Sequence, residues 1–390
     1  MDCNRVFVSK VKRLTIVFTL LIAFLSIKID TFAQVDSAVV PVDSAVAESA
    51  HAVSGEHGAE AKHGEGKFEP TEVIMEHIAD SHVWHLLGEY SLPLPIILYT
   101  PSGLEVFSSG HFHHGKEDYQ GSKYKYRYIA DASKQAMGQN FFNKNIKVVG
   151  ADGRVDEAAT AQLIDLSITK NVAALFLGVV LLLIIFISVA GAYKRRVGKA
   201  PKGLQSFLEP IMVFVRDDIA KPNIGHKYAK FLPFLLSVFF FILINNLLGL
   251  IPIFPGGSNV TGNIAVTFVL ALCTMIIVNL NGNKYYWKHI LLPDVPKWMY
   301  IIMIPVELIG VISKPFALMV RLFANITAGH IIVLSLVSLI FIFKSFGIAP
   351  VSVAFVLFMD VLELLVAFLQ AFIFTLLTAL FIGMAVEEHH

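Results

Sequence analysis

The run Glu307-Leu-Ile-Gly-Val-Ile-Ser-Lys-Pro-Phe-Ala-Leu-Met-Val-Arg321-Leu-Phe-Ala-Asn325-Ile-Thr-Ala-Gly-His330 lies inside an apolar stretch from Met299 to Phe343. At about 1.5 Å per residue this stretch as one helix is roughly 60 Å long, about twice the hydrocarbon core of a bilayer. A second apolar run, Ile348 to Val386, is nearly as long, and the only polar interruption between them spans Lys344 to Pro350. No basic loop divides either run, and Pro305, Pro315 and Gly329 bend a membrane helix without ending it. The expectation is a helical hairpin inclined much more steeply than the usual tilt of about 20°.

Composition agrees with the bilayer as solvent. Of 390 residues, 55% are hydrophobic and 16% charged, which is not a soluble balance. Thirty-one basic residues stand against thirty acidic ones, with no interleaving of aromatic and basic residues, so nucleic acid is not an expected partner. The two cysteines, Cys3 and Cys273, fall in a leader-like segment and an apolar span, which excludes a disulfide framework and a paired-cysteine metal site. No phosphate-cradling Gly-Lys-Thr/Ser loop occurs, so nucleotide chemistry is not expected in this chain.

Residues 1–33 read as a signal peptide. Arg5, Lys10, Lys12 and Arg13 precede an apolar run from Leu14 to Ile27 that is too short to span, and Thr31-Phe32-Ala33 offers a cleavage site. The alternative is an uncleaved anchor. Residues 34–67, rich in Ala, Val, Ser, Glu, Gly and His, read as a flexible tether. Residues 68–165 read as a small extracytoplasmic β-rich module, with a Pro101-Ser102-Gly103 turn, Leu-Glu-Val-Phe after it, and alternating Tyr124, Tyr126 and Tyr128.

Residues 166–390 form the membrane domain. Val172 to Ala192, Phe231 to Ile251 and Ile264 to Leu280 have the length of ordinary crossings. Lys194, Arg195, Arg196, Lys199 and Lys202 follow the first, Lys284, Lys288 and Lys297 follow the third, and Pro252 to Gly262 carries no basic residue. The positive-inside rule then puts the module outside and the C-terminus in the cytoplasm. The fold class expected is an all-α polytopic membrane protein: three ordinary transmembrane helices, the tilted C-terminal hairpin and the β-rich module.

Within the hairpin stand Glu307, Lys314, Arg321, His330, Asp360 and Glu363, with Asn325 and Gln370 beside them. A central arginine costs about 2.5–3.5 kcal/mol on insertion scales, so such charges line water paths or meet partner charges. Lys314 and Asp360 also admit snorkelling to an interface. At 100° per residue Glu307, Lys314 and Asn325 fall within about 40° of Arg321, and Ala317, Ala324 and Ala328 keep that face shallow for a close-packed neighbour. His330 projects from the opposite side. Folding the hairpin about residue 346 or 347 brings His330 level with Glu363, and Arg321 level with the neighbourhood of Gln370.

The Glu307–His330 segment strongly resembles subunit a of F-type ATP synthases, as do Leu369-Gln370-Ala-Phe-Ile-Phe and the stretch from Phe231-Leu-Pro through Asn245-Asn246-Leu-Leu-Gly-Leu-Ile-Pro252. The resemblance covers roughly residues 165–386. It implies a non-catalytic, proton-translocating stator subunit in a bacterial inner membrane, partnered by a c-subunit ring, a b-subunit peripheral stalk, the remaining synthase subunits and lipid, without cofactor or metal. Arg321 would be the essential arginine, Glu307 a lining residue toward the cytoplasm, and Asn325, His330, Glu363 and Gln370 linings toward the outside. The order His330 then Glu363 resembles mitochondrial members, and Gly249 stands where many bacterial members carry an aspartate. The mechanism implied is two offset half-channels to the ring carboxyls, separated by an arginine gate, with about 2.3 kcal/mol released per charge per 100 mV. The ring's own site decides between protons and sodium ions.

Two other classes remain to be weighed. A stand-alone transporter is disfavoured because no two matching halves with interrupted helices appear, and a purely structural scaffold has no need of an intramembrane arginine. His51, His57, His63, His77, His82, His85, His111, His113 and His114 crowd the exported region; His82 and His85 have metal-ligand spacing, but solvated histidines are the plainer reading. Leu204 to Ala220 reads as an amphipathic segment at the cytoplasmic interface or against a stator partner.

Overall fold

The computed structural model describes residues 80–387, apart from 88–89, 116, 130–144, 151, 197, 252–255, 293–295 and 344–348. The leader, the tether and the turn of the hairpin lie outside the described residues, as do His51, His57, His63 and His77.

Among the described residues eight short strands precede the long helices. β1 (Val83–Leu87) pairs with β2 (Tyr90–Pro93); β3 (Pro95–Thr100) lies between β4 (Gly103–Ser108) and β8 (Ile164–Asp165); β6 (Lys125–Tyr128) lies between β5 (Tyr119–Gln120) and β7 (Ile146–Val149). All these pairings are antiparallel. The β3–β4 hairpin turns at Pro101-Ser102, and Gly103 closes it with φ +125°, a conformation closed to residues with a side chain. Alternation along the strands drives Ile96, Leu98, Phe107, Tyr126, Ile146 and Val148 into one small core, where Phe107 stacks on Tyr119 at 4.2 Å. A salt bridge network, Asp118 with Arg127 at 2.7 Å and Lys125 at 3.2 Å, clips β6 to the loop before β5.

A short helix, α1 (Glu157–Gln162), capped by the Asp156 side chain, leads through β8 into α2 (Lys170–Arg195). Thr169 caps α2, and Lys194 and Arg195 sit in its last turn, where cations favour the negative end of the helix dipole. α3 (Leu204–Phe214) runs into a π-helical turn, Val215–Ala220, and then into the single turn α4 (Lys221–Ile224). The turn is amphipathic: Val215, Ile219 and Ala220 are fully buried in the main core, while Asp218 is exposed.

α5 (Tyr228–Leu250) is the central helix, with every residue from Phe231 to Asn246 buried. Such all-round apolarity marks a helix enclosed by others. α6 (Ile264–Leu280), capped by Asn263, returns antiparallel and meets α7 (Lys284–Leu291) at a 104° bend. The two long apolar runs are continuous helices, α8 (Tyr300–Phe343) and α9 (Ala349–Val386). Among the described residues four helices are long and apolar enough to cross a membrane, or five if the bent α6–α7 pair is one span. The chain is thus mostly helical and polytopic in character, and the hairpin arms are unbroken despite Pro305 and Pro315 inside α8.

Candidate functional site

α9 packs along α5 and against α4, and small residues of α9, Ala367, Ala371, Ala379, Gly383 and Ala385, are buried. Gly383 lies against the carbonyl of Asn223, where a Cβ would overlap the backbone. α8 rests on α6 and α9 through Leu318, Met319 and Leu322, the last fully buried. These contacts leave a cavity of about 380 Å³ between α5, the loop before α6, α8 and α9.

Four of the six residues singled out from the sequence line it: Asn325 and His330 from α8, Glu363 and Gln370 from α9. His330 Nδ1 lies 3.9 Å from Glu363 Oε2, so the two arms have the expected register. The carboxylate packs on the backbone of Gly329, where a Cβ would overlap Oε1, and that oxygen has no hydrogen-bond partner among the described residues. Gln370 is buried, while Asn325 stands at the exposed edge of the cavity.

Sequence reasoning missed the opposite wall. Asn245 and Asn246 reach in from α5, and Ser258, Asn259 and Thr261 from the loop after it. The Thr261 hydroxyl donates to Asn246 Oδ1 at 2.6 Å, and Asn246 Nδ2 donates to the Ala367 carbonyl of α9 at 3.3 Å. Asn245 Oδ1 and Asn259 Nδ2, both buried, have no partner among the described residues. A cavity with these donors and acceptors, far above the ~10–15 Å³ one water needs, suits a chain of water molecules and proton transfer along it. The adjacent pair Asn245-Asn246 in an otherwise apolar span was the available signal.

Arg321 and Glu307 are not in this cavity. Arg321 is exposed on α8 beside the buried Leu322, with no hydrogen bond or ion pair among the described residues. Ala317, Ala324 and Ala328 are exposed along the same strip, leaving the guanidinium on a shallow, uncovered face. Glu307 sits half-buried fourteen residues earlier, roughly 21 Å along the helix axis. Near that end Lys314 Nζ lies 5.8 Å from the Phe381 ring centre and borders a second cavity of about 20 Å³, where the Tyr286 hydroxyl is 3.2 Å from Asn279 Oδ1.

Among the described residues no group of three His, Cys, Asp or Glu side chains is placed to hold a metal ion. His111 and His113 lie on the 3-10 helix Ser109–Gly115, and His82 just before β1.

Comparison with known proteins converges on the membrane helices. The family model described as "ATP synthase A chain" matches residues 173–383, and one described as "Domain of unknown function" matches residues 73–166. ATP synthase subunit a of Chlorobium phaeobacteroides is 38% identical over 397 residues, covering 98% of this chain and 95% of that one. Subunit a of Chloroherpeton thalassium is 51% identical over 233 residues, 58% of this chain and 69% of its own. Subunit a of Myxococcus xanthus is 44% identical over 234 residues, 58% of this chain and 75% of its own.

Proposed function

The chain belongs to the ATP synthase A chain family, and from that premise we propose that its C-terminal hairpin conducts protons to and from a moving partner through two offset half-channels divided by Arg321. As a member of this family it is a non-catalytic, proton-translocating membrane subunit of an F-type ATP synthase. The observation that carries the finer reading is a separation: His330, Glu363, Asn325 and Gln370 share one cavity, while Arg321 stands outside it, exposed on a strip of alanines.

An arginine stays charged at any ordinary pH, so its cation favours the ionised form of an acid brought beside it. The alanine strip lets a small-residue helix approach closely enough for that meeting. We assign that approach to the ring of c subunits, each bringing one carboxyl. Such an acid gains a proton from the His330–Glu363 side and sheds it on the Glu307 side. Direct passage between the sides meets a fixed positive charge, so protons cross only as the ring turns. Helices of 44 and 38 residues suit this, since steeply inclined arms can curve along a ring within a core of about 30 Å.

In this reading the β-rich module faces outside, the C-terminus faces the cytoplasm of a bacterial inner membrane, the exposed flank of α2 faces lipid, and a b-subunit stalk holds the chain against the ring. The deciding experiment is Arg321→Ala in the assembled complex. ATP-driven acidification of inverted membrane vesicles is expected to be lost while the subunits still co-purify; undiminished pumping would refute the gate.

A further inference from the structure

The crossing helix α6 ends in an elbow. At 17 residues it is about 25 Å long, close to the thickness of a hydrocarbon core, and beyond it α7 leaves at 104°. α7 therefore runs along the boundary between acyl chains and headgroups rather than across it. Its orientation there is fixed by packing. Ile290 is 3% exposed, and the Tyr286 hydroxyl one turn earlier donates to Asn279 Oδ1 at 3.2 Å. Asn283, just before α7, donates from its backbone N to the Ala385 carbonyl at 2.8 Å and from Nδ2 to the Val386 carbonyl at 2.9 Å, which ties the elbow to the end of α9. Gly282 leaves room for this bend: a Cβ there would lie 2.6 Å from Tyr286 Cδ1.

With Tyr286 and Ile290 turned inward, the outer side of α7 presents Lys284, Trp287, Lys288 and Leu291 at i, i+3, i+4 and i+7, which is one strip. All four are exposed, Trp287 to 39% and Leu291 to 47%. Neither ammonium has an ion pair, and the Trp287 indole N–H has no acceptor, among the described residues. Lys230, exposed on α5, brings a third cation to the elbow, its Nζ 2.6 Å from Asn281 Oδ1. Against them stands Glu387, exposed at the end of α9, whose carbonyl accepts from Asn283 Nδ2 at 3.5 Å. A strip facing only water has no use for Trp287 and Leu291. One facing only acyl chains cannot seat two ammonium groups, so the mixture fits the level at which phosphates and chains meet.

We propose that the outer strip of α7 is a binding site for an anionic phospholipid of the bilayer, its phosphate held by Lys284 and Lys288 and its chain laid along Trp287 and Leu291. Lysines four apart on a helix are neighbours, with Cβ atoms about 6 Å apart, so both ammonium groups can reach one phosphate. The free indole N–H adds a donor for a phosphate or ester oxygen, the use to which interfacial tryptophans are suited. A zwitterionic lipid brings its own cation to the same place and gains less from the lysines. Such a site needs only that α6 crosses a bilayer, whatever the role of Arg321.

The test uses the intact synthase in phosphatidylcholine vesicles that carry a trace of photoactivatable phosphatidylglycerol, with the labelled peptides mapped after illumination. Label is expected on residues 284–292, displaced by added phosphatidylglycerol and not by added phosphatidylcholine. Lys284→Gln combined with Lys288→Gln is expected to lower that label at least about ten-fold, while Lys284→Arg with Lys288→Arg, which keeps both charges, retains it. Equal labelling by photoactivatable phosphatidylglycerol and phosphatidylcholine overturns the proposal, since the strip then meets only ordinary surrounding lipid. Absence of label from 284–292 overturns it as well, and a cross-link from that peptide to another subunit in its place marks a protein partner. Where the double glutamine variant fails to assemble, the competition between the two lipids on the parent complex decides.

Discussion

Glu363 sits between two α8 neighbours, its Oε2 at 3.9 Å from His330 Nδ1 and its Oε1 against the Cα of Gly329. One carboxylate oxygen thus addresses a titratable base and the other is pinned by a residue without a side chain.

Replacing the carboxylate by an amide keeps the shape and removes the proton-carrying group. Glu363→Gln is expected to slow ATP-driven pumping at least about ten-fold, with hydrolysis and pumping still coupled. Proton uptake per ATP hydrolysed checks this; a parental rate removes Glu363 from the path.

Gly329 is required by packing. In Gly329→Ala the new methyl group displaces Glu363 or spreads the hairpin, at a cost of about 1–3 kcal/mol. Pumping should fall with Glu363 chemically intact, and a second change, Glu363→Asp, which shortens the side chain, should recover part of it.

Asn246 ties α5 to both Thr261 and α9. Asn246→Ala leaves the Thr261 hydroxyl and the Ala367 carbonyl short of a partner, a loss of about 1–3 kcal/mol. Thermal melting of the detergent-solubilised complex should show Asn246→Ala and Thr261→Val to be non-additive; strict additivity would mean the two do not act as a pair.

In the module, the hydrogen bond from Arg127 and the nearby charge of Lys125 hold the Asp118 carboxyl down at about 2. A carboxylate depressed in the folded state stabilises above its unfolded pKa, and that contribution fades as pH falls toward about 2. Asp118→Asn should therefore raise hydrogen exchange of β5, β6 and β7 at pH 7, with the difference from the parent shrinking in acid.

Much of the membrane domain was legible because its causes are local. Ile264–Leu280 coincides with its apolar run, and α8 and α9 differ from theirs by one residue at the start, since hydropathy acts residue by residue along a helix. The facing of His330 and Glu363 followed from a hairpin with a short turn. The strand Gly103–Ser108 and the turn before it followed from Pro-Ser-Gly and alternation. By contrast, Leu204 to Ala220 read as an amphipathic segment, and what its pattern did not give was the π turn that buries Val215, Ile219 and Ala220 on one face against α5 and α9, because the partners that cover that face lie far along the chain.

From the sequence alone came a membrane chain of long apolar helices with an arginine inside one of them, because hydropathy is set by the residues each helix itself carries. Which polar groups share a space was decided by tertiary packing. Asn246 meets Ala367 across 121 positions and Ser258 meets Asn171 across 87, and a buried amide or hydroxyl takes whichever partner the assembled helices bring within reach.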